Sequence, residues 1–167
     1  MQHNFPKNGR ISRILGIDPG LATTGFAILE VKNSEIELKD FGVFLTRKGD
    51  PLAERLHQIS KDVAEICDTW NPHVLSIEKL IFVKNVTNGL LVTQARGIIL
   101  ENAVARGMQI LEFMPTEVKA NITGNGRAPK IQMQKMVQKI LHLAEAPTPD
   151  DAADAIAIAL CGAGKEK

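Results

Sequence analysis

Four carboxylates stand where ordinary structural roles do not fully account for them. Asp18 closes the apolar run "RILGID" and is followed by Pro19 and Gly20. Pro19 keeps Asp18 out of the helical region, so its carboxylate belongs to a strand end, although a D-P-G turn would also accommodate an Asp there. Glu78 closes a second apolar run, "VLSIE". Turn chemistry does not explain it; a surface ion pair with Lys79 is the alternative. Asp151 and Asp154 lie three apart in "PDDAADAIAIALCGAG" and so share a helix face. Helix capping and dipole complementarity account for Asp150 and, less completely, for Asp151. They do not account for Asp154, one turn further in among Ala152, Ala153, Ala155 and Ala157. Like charges that close repel unless a cation or proton lies between them. An all-oxygen set without His or Cys suits Mg²⁺ or Mn²⁺ rather than zinc. Two such ions roughly 4 Å apart can hold a phosphodiester, one activating water and the other stabilising the leaving oxygen.

The elements that must position these groups follow from the hydrophobic pattern. Residues 13–18, 25–31 and 35–46 read as strands in an antiparallel meander, the last two joined by "KNS". In residues 51–70, Leu52, Leu56, Ile59, Val63, Ile66 and Trp70 recur at spacings of three and four, one apolar stripe on a long helix with Pro51 in its first turn. A strand over 73–78, an apolar helix over 85–107 ended by Gly107, and a strand over 108–113 follow. Helices near 115–122, 129–143 and from 149 complete the chain, with a Gly-rich turn at 123–127. Strands that alternate with helices run parallel through right-handed crossovers. The expected fold is α/β: a mixed five-stranded sheet, three antiparallel strands and then parallel ones, with helices on both faces. Ligands gather at the carboxyl ends of parallel strands in such sheets, where Asp18 and Glu78 fall. The alanines let the final helix lie close enough to bring Asp151 and Asp154 there too.

Composition narrows the function class. The 167 residues, 44% apolar and 23% charged, suit one globular domain, expected over 13–164 behind a polar arm at 1–12. No apolar run is long enough for a bilayer and the start lacks a signal-peptide core, so a cytoplasmic protein without membrane contact is expected. Cys67 and Cys161 read as reduced, buried thiols, with a disulfide as the lesser alternative. The net charge of +1 gives no global pull towards polyanions. From Lys79 to Lys139, however, nine Lys and Arg face three Glu, whereas residues 140–154 hold four acids and no Lys or Arg. A basic middle followed by an acidic focus fits a polyanion approaching a cation site; solvated helix faces are the plainer explanation.

The motifs "ILGIDPG" with "TTGFAIL", "SIEKL" followed by "KN" and "QARG", "VK" with "GNG" and a Lys, and "DAADAIAIA" together resemble the RuvC family of Holliday junction resolvases, in order and from about residue 13 to 162. Each motif alone is weak; "GIDPGLATTG" by itself would equally open an actin-like ATPase, but no second Gly-rich phosphate loop follows. The resemblance implies an RNase H-like fold and a homodimer that cuts opposed strands of a four-way DNA junction, in recombination and repair, leaving 5′-phosphate and 3′-hydroxyl ends. It implies two Mg²⁺ ions per site, with Mn²⁺ as a substitute, held by Asp18, Glu78, Asp151 and Asp154 as catalytic ligands. Lys130 falls on the family position near the scissile phosphate, where it would stabilise transition-state charge, and Lys119 on a DNA-binding position. Arg127 and Lys84 are further DNA-binding candidates. The family often carries an aromatic three residues after the strand-end Glu; here Ile81 stands there and Phe82 follows, so Phe82 is the candidate for stacking on unpaired bases. Arg96 in "QARG" faces either the dimer or the DNA, and the residues leave both open. The helix 85–107 is the expected dimer element, because Leu90, Leu91, Ile98 and Ile99 exceed what one buried stripe needs; the alternative is a central helix of the core, which would account for half of those side chains. A branch-migration motor is an implied partner without an identifiable docking segment.

Overall fold

The structure is a computed structural model that describes residues 11–80 and 86–165, with the side chains of residues 86–88 left aside. Five strands, β1 (Ser12–Asp18), β2 (Thr23–Lys32), β3 (Glu35–Leu45), β4 (Val74–Glu78) and β5 (Gln109–Phe113), form one sheet in the order β3-β2-β1-β4-β5. The pairs β1–β2 and β2–β3 are antiparallel, whereas β1–β4 and β4–β5 are parallel. This is the expected RNase H-like arrangement. Ser12 belongs to β1, so the sheet begins inside the expected arm; residues 1–10 lie outside the described residues. The β2–β3 hairpin turns through Asn33 and Ser34, both at positive φ, as a tight turn between right-twisted strands requires.

Helices cover both faces. On one, α1 (Leu52–Trp70) and α2 (Val86–Ala105) bury Ile59, Val63, Cys67, Ala95, Ile99 and Ala103 against Leu15, Ile17, Leu75 and Ile77. On the other, α3 (Pro115–Thr123), α4 (Lys130–Ile140) and α5 (Asp150–Ala163) pack on Ile14, Ala27, Leu29 and Val74. Cys67 and Cys161 are free, buried and on opposite faces, which rules out a disulfide between them. No helix among the described residues is long and apolar enough to cross a membrane.

Several expectations are corrected. Pro51 is the N-cap of α1 rather than a residue of its first turn. Helix α4 stops at Ile140, three residues early, because His142 takes positive φ. Asp150 does not cap α5; Pro149 holds that position. Of the four apolar residues assigned to a dimer face, Ile99 is in the core, Leu91 packs against it and Ile98 is half-buried. Leu90 alone is well exposed, at 55%. The outward face of α2 instead carries Leu90, Gln94, Gly97, Glu101 and Val104, at spacings of four, three, four and three.

Helix α5 lies on β1, β2 and β4 with almost no separation. A Cβ on Gly25 of β2 would meet the Asp151 carbonyl oxygen at 2.0 Å, and one on Gly16 of β1 would meet the Ala155 carbonyl oxygen at 2.4 Å. At the far end Gly162 abuts Ser76, whose hydroxyl donates to the Ile158 carbonyl at 2.6 Å. Because both partners at Gly25 are backbone, neither can rotate away. Gly25→Ala is therefore expected to cost about 1–3 kcal/mol, read as a lowered urea midpoint, and to displace the first turn of α5 together with any activity that depends on its carboxylates. Wild-type stability and activity in this variant would show that the close approach does not set the helix position.

Candidate active site

The pleat decides which side Asp18 and Glu78 face. Side chains alternate along a strand. Leu15 and Ile17 point to the α1–α2 side, so Ile14, Gly16 and Asp18 point to α5; Leu75 and Ile77 likewise leave Val74, Ser76 and Glu78 on the α5 side. The parallel register pairs Ile14 with Val74 through to Ile17 with Ile77. One residue further, Asp18 and Glu78 end adjacent strands side by side. The first turns of α5 lie above them.

A cleft of about 270 Å³ opens there, lined by Asp18, Glu78, Lys119, Lys130 and Asp154 together with Pro115, Val118, Met133 and Ala157. Five of the sequence-derived site residues thus meet in one place. Asp151 is not among the lining residues, but its charge is felt by Asp18. Arg127 is exposed before α4, its backbone N–H donating to Asn125 Oδ1 at 3.0 Å, and does not line the cleft. Phe82 and Lys84, with Ile81, lie outside the described residues.

The electrostatics show how much negative charge the fold has gathered. Burial first, then Glu78, Asp154 and Asp151, push the Asp18 carboxyl up from 3.8 to about 7, with Lys130 opposing. Glu78 is raised by burial and by Asp154, and held back by Lys119. Lys130 answers this field. It begins α4, where a cation opposes the helix dipole. Its ammonium donates to Asp154 Oδ2 at 2.9 Å and lies 3.3 Å from Asp150 Oδ2. Burial pulls its pKa down, but the bonds and charges of Asp154 and Asp150 outweigh that and raise it. Gln134, one turn along α4, donates to Asp150 Oδ1 at 2.8 Å. The sequence reading missed the link from Asp150 to α4; the signal available was Lys130 and Gln134 on one face of a helix.

Among the described residues, no three His, Cys, Asp or Glu side chains form a ready-made metal cage. The chemistry of the acids nevertheless fits a hard divalent ion: carboxylate oxygens as donors, a half-buried Asp18 burdened by three neighbouring acids, and no His or Cys lining the cleft.

Arg96 does something neither sequence reading anticipated. Its Nε donates to the Glu78 carbonyl oxygen at 3.2 Å and its Nη2 pairs with Glu112 Oε2. It therefore engages the ends of β4 and β5 within its own chain.

Comparison with known proteins identifies the family. The family model described as crossover junction endodeoxyribonuclease RuvC matches residues 14–162. The crossover junction endodeoxyribonuclease RuvC of Caldicellulosiruptor saccharolyticus is 43% identical over 150 residues, covering 89% of this chain and 90% of that protein. Its namesake from Brevibacillus brevis is 43% identical over 148 residues, covering 89% of each. Among solved structures, Thermus thermophilus RuvC in complex with Holliday junction substrate superposes with a TM-score of 0.84 at 33% identity, covering 89% of this chain and 91% of that one. The yeast mitochondrial Holliday junction resolvase, at 16% identity and a TM-score of 0.64, shares the fold. The family model, the identity to these relatives and the superposed fold converge, and the chain belongs to the RuvC family of crossover junction endodeoxyribonucleases.

Proposed function

We propose that this protein resolves four-way DNA junctions by paired, metal-dependent hydrolysis of phosphodiester bonds, with Asp18, Glu78, Asp151 and Asp154 as its catalytic metal ligands. The observation that carries this reading is the cleft in which Asp18, Glu78 and Asp154 stand with Lys119 and Lys130. Acids alone would repel DNA; acids flanked by two lysines suit a phosphate bridged to cations. The likeness to a RuvC solved on junction DNA supports the substrate. Two Mg²⁺ ions are the expected cofactor, with Mn²⁺ as a substitute, and when bound they supply Lewis acidity and activation of the attacking water. The chain's own part is to hold those ligands apart at fixed depth and to exclude bulk water with Pro115, Val118 and Met133. Lys119 fixes the DNA backbone. Lys130, which lines the same cleft, would stabilise the charge that develops on the scissile phosphate. A synthetic four-way junction cut at opposed strands in Mg²⁺, with an intact linear duplex control and no cutting in EDTA, is the expected result. Equal cutting of both DNAs would remove the junction selectivity from this reading.

Paired cutting requires two copies, and α2 is the element that suits their contact. Leu90 and Val104 are 55% and 65% exposed, and between them a Cβ on Gly97 would meet nothing within 4 Å. A near-seven-residue stripe with a glycine at its middle fits close crossing of two such helices. Leu90→Glu with Val104→Glu is expected to weaken the dimer at least about hundredfold, because a charge stranded in an apolar contact costs about 3–5 kcal/mol. Sedimentation velocity checks it, and dimers undiminished at micromolar protein would move the interface elsewhere. A branch-migration motor is the further partner that the resemblance supplies.

A further inference from the structure

We propose that Arg96 is a positioning residue that fixes Glu78, and this rests on the assignment of Glu78 to the active site. Glu78 is the last residue of β4. Beyond it Lys79 still donates its backbone N–H to the Phe113 carbonyl at 2.8 Å, which ties the strand end to β5. The Glu78 carbonyl is taken by Arg96 Nε at 3.2 Å. The guanidinium is in turn oriented by Glu112, which the β4–β5 register places beside Ile77. Ile77 faces the α1–α2 side, so the Arg96–Glu112 pair lies across the sheet from the cleft, and Arg96 is not among the residues lining it. Its side chain is only 16% exposed, which argues against a role as a DNA-backbone contact.

The physical consequence follows from where the bond is made. A hydrogen bond to the carbonyl fixes the peptide plane after Glu78, and that plane fixes the Cα–Cβ direction along which the carboxylate enters the site. The N–H of the same peptide, that of Lys79, is held by the Phe113 carbonyl, and Arg96 supplies the second tie, on its carbonyl side. Partners that orient a ligand typically matter about 10–100-fold in metal affinity or activity. Arginine is suited because one fork can reach the carbonyl and the Glu112 carboxylate together; a lysine ammonium lacks that planar fork.

The test uses the full chain and three readouts: the single-turnover cutting rate at saturating four-way junction, junction affinity in EDTA, and Mn²⁺ binding by calorimetry without DNA. Arg96→Met should slow cutting and weaken Mn²⁺ binding by about 10–100-fold, with junction affinity unchanged within about twofold. Arg96→Lys should recover only part of the loss. Glu112→Gln keeps the side-chain shape and should give a smaller loss, one that disappears in the Arg96→Met background because both act through one peptide. If melting shows Arg96→Met to be unfolded, Glu112→Gln carries the test on the same readouts. Normal cutting and Mn²⁺ affinity in Arg96→Met overturn the proposal, as does lost junction affinity with an unchanged rate. Glu78→Gln separates the two levels. If it cuts normally, the active-site assignment fails; if it is inactive while Arg96→Met behaves as wild type, the positioning role alone fails.

Discussion

Asp154→Asn is expected to lower junction cleavage by at least about a thousandfold, equivalent to about 4 kcal/mol of transition-state stabilisation, while junction binding stays within a few-fold of wild type. Asp154 is the acid whose charge acts on both Asp18 and Glu78, and it holds Lys130 at 2.9 Å. An amide keeps the shape of the side chain and removes the charge, so the cleft keeps its form and loses both the proposed ligand and the charge that stations Lys130. Binding is spared because Lys119 remains and one negative charge facing the phosphates is gone. Asp150 supplies the contrast. It also pairs with Lys130, at 3.3 Å, but its side chain is 63% exposed and its charge is not among those raising Asp18 or Glu78. Asp150→Asn should therefore change the rate by no more than a few-fold. Single-turnover cutting of a synthetic junction in Mg²⁺, with affinities measured in EDTA, decides the matter. Cutting by Asp154→Asn within tenfold of wild type would sink the assignment of that carboxylate.

The site was legible in the sequence wherever a local pattern determined a direction in space. Alternation of two along "RILGID" and "VLSIE" fixes the face on which Asp18 and Glu78 emerge once any one apolar residue is placed in the core. The alanines of α5 announce a helix pressed onto a sheet, and Gly16 and Gly25 are the matching hollows in the strands. What remained illegible depends on the pairing of distant elements. The target of Arg96 follows from how α2 settles over the ends of β4 and β5, and nothing within "QARG" specifies that register. The engagement of Asp150 by Lys130 and Gln134 depends on α4 lying against the start of α5. The early end of α4 reflects positive φ at His142, a conformation that the surrounding residues, none of them glycine, did not advertise. Which apolar residues of α2 face outward was open in the sequence for a related reason: neighbours such as Ile98 and Ile99 lie about 100° apart on a helix, and only one of them can face the core squarely.

The second large effect is on stability. Asp18→Asn is expected to make the protein more stable in EDTA at pH 8, by on the order of 1–3 kcal/mol, although it removes the acid that β1 contributes to the proposed site. The sign follows from the direction of the shift. Folding raises the Asp18 pKa from 3.8 to about 7, through burial first and then through Glu78, Asp154 and Asp151. The folded state therefore holds this proton more tightly than the unfolded chain does. On this group's account, stability is undiminished below about pH 4, falls as pH rises towards about 7, and is level above. At pH 8 the full cost of burying the charge is present, and the amide abolishes it, less whatever its own unpaired hydrogen-bonding groups lose on burial. Divalent cations should reverse the ranking. An ion that binds only the folded wild type stabilises it by RT ln(1 + [L]/Kd), about 2.7 kcal/mol at a hundredfold excess over Kd, and the variant forgoes most of this. Urea unfolding at pH 5 and pH 8, each in EDTA and in Mg²⁺, reads both terms. A wild type already more stable than the variant at pH 8 in EDTA would mean that Asp18 does not carry a buried, uncompensated charge. Equal stabilisation of both proteins by Mg²⁺ would mean that the ion is held elsewhere. If these acids hold the cation, the two stability curves cross on adding metal, because the repulsion that destabilises the metal-free wild type is what the ion relieves.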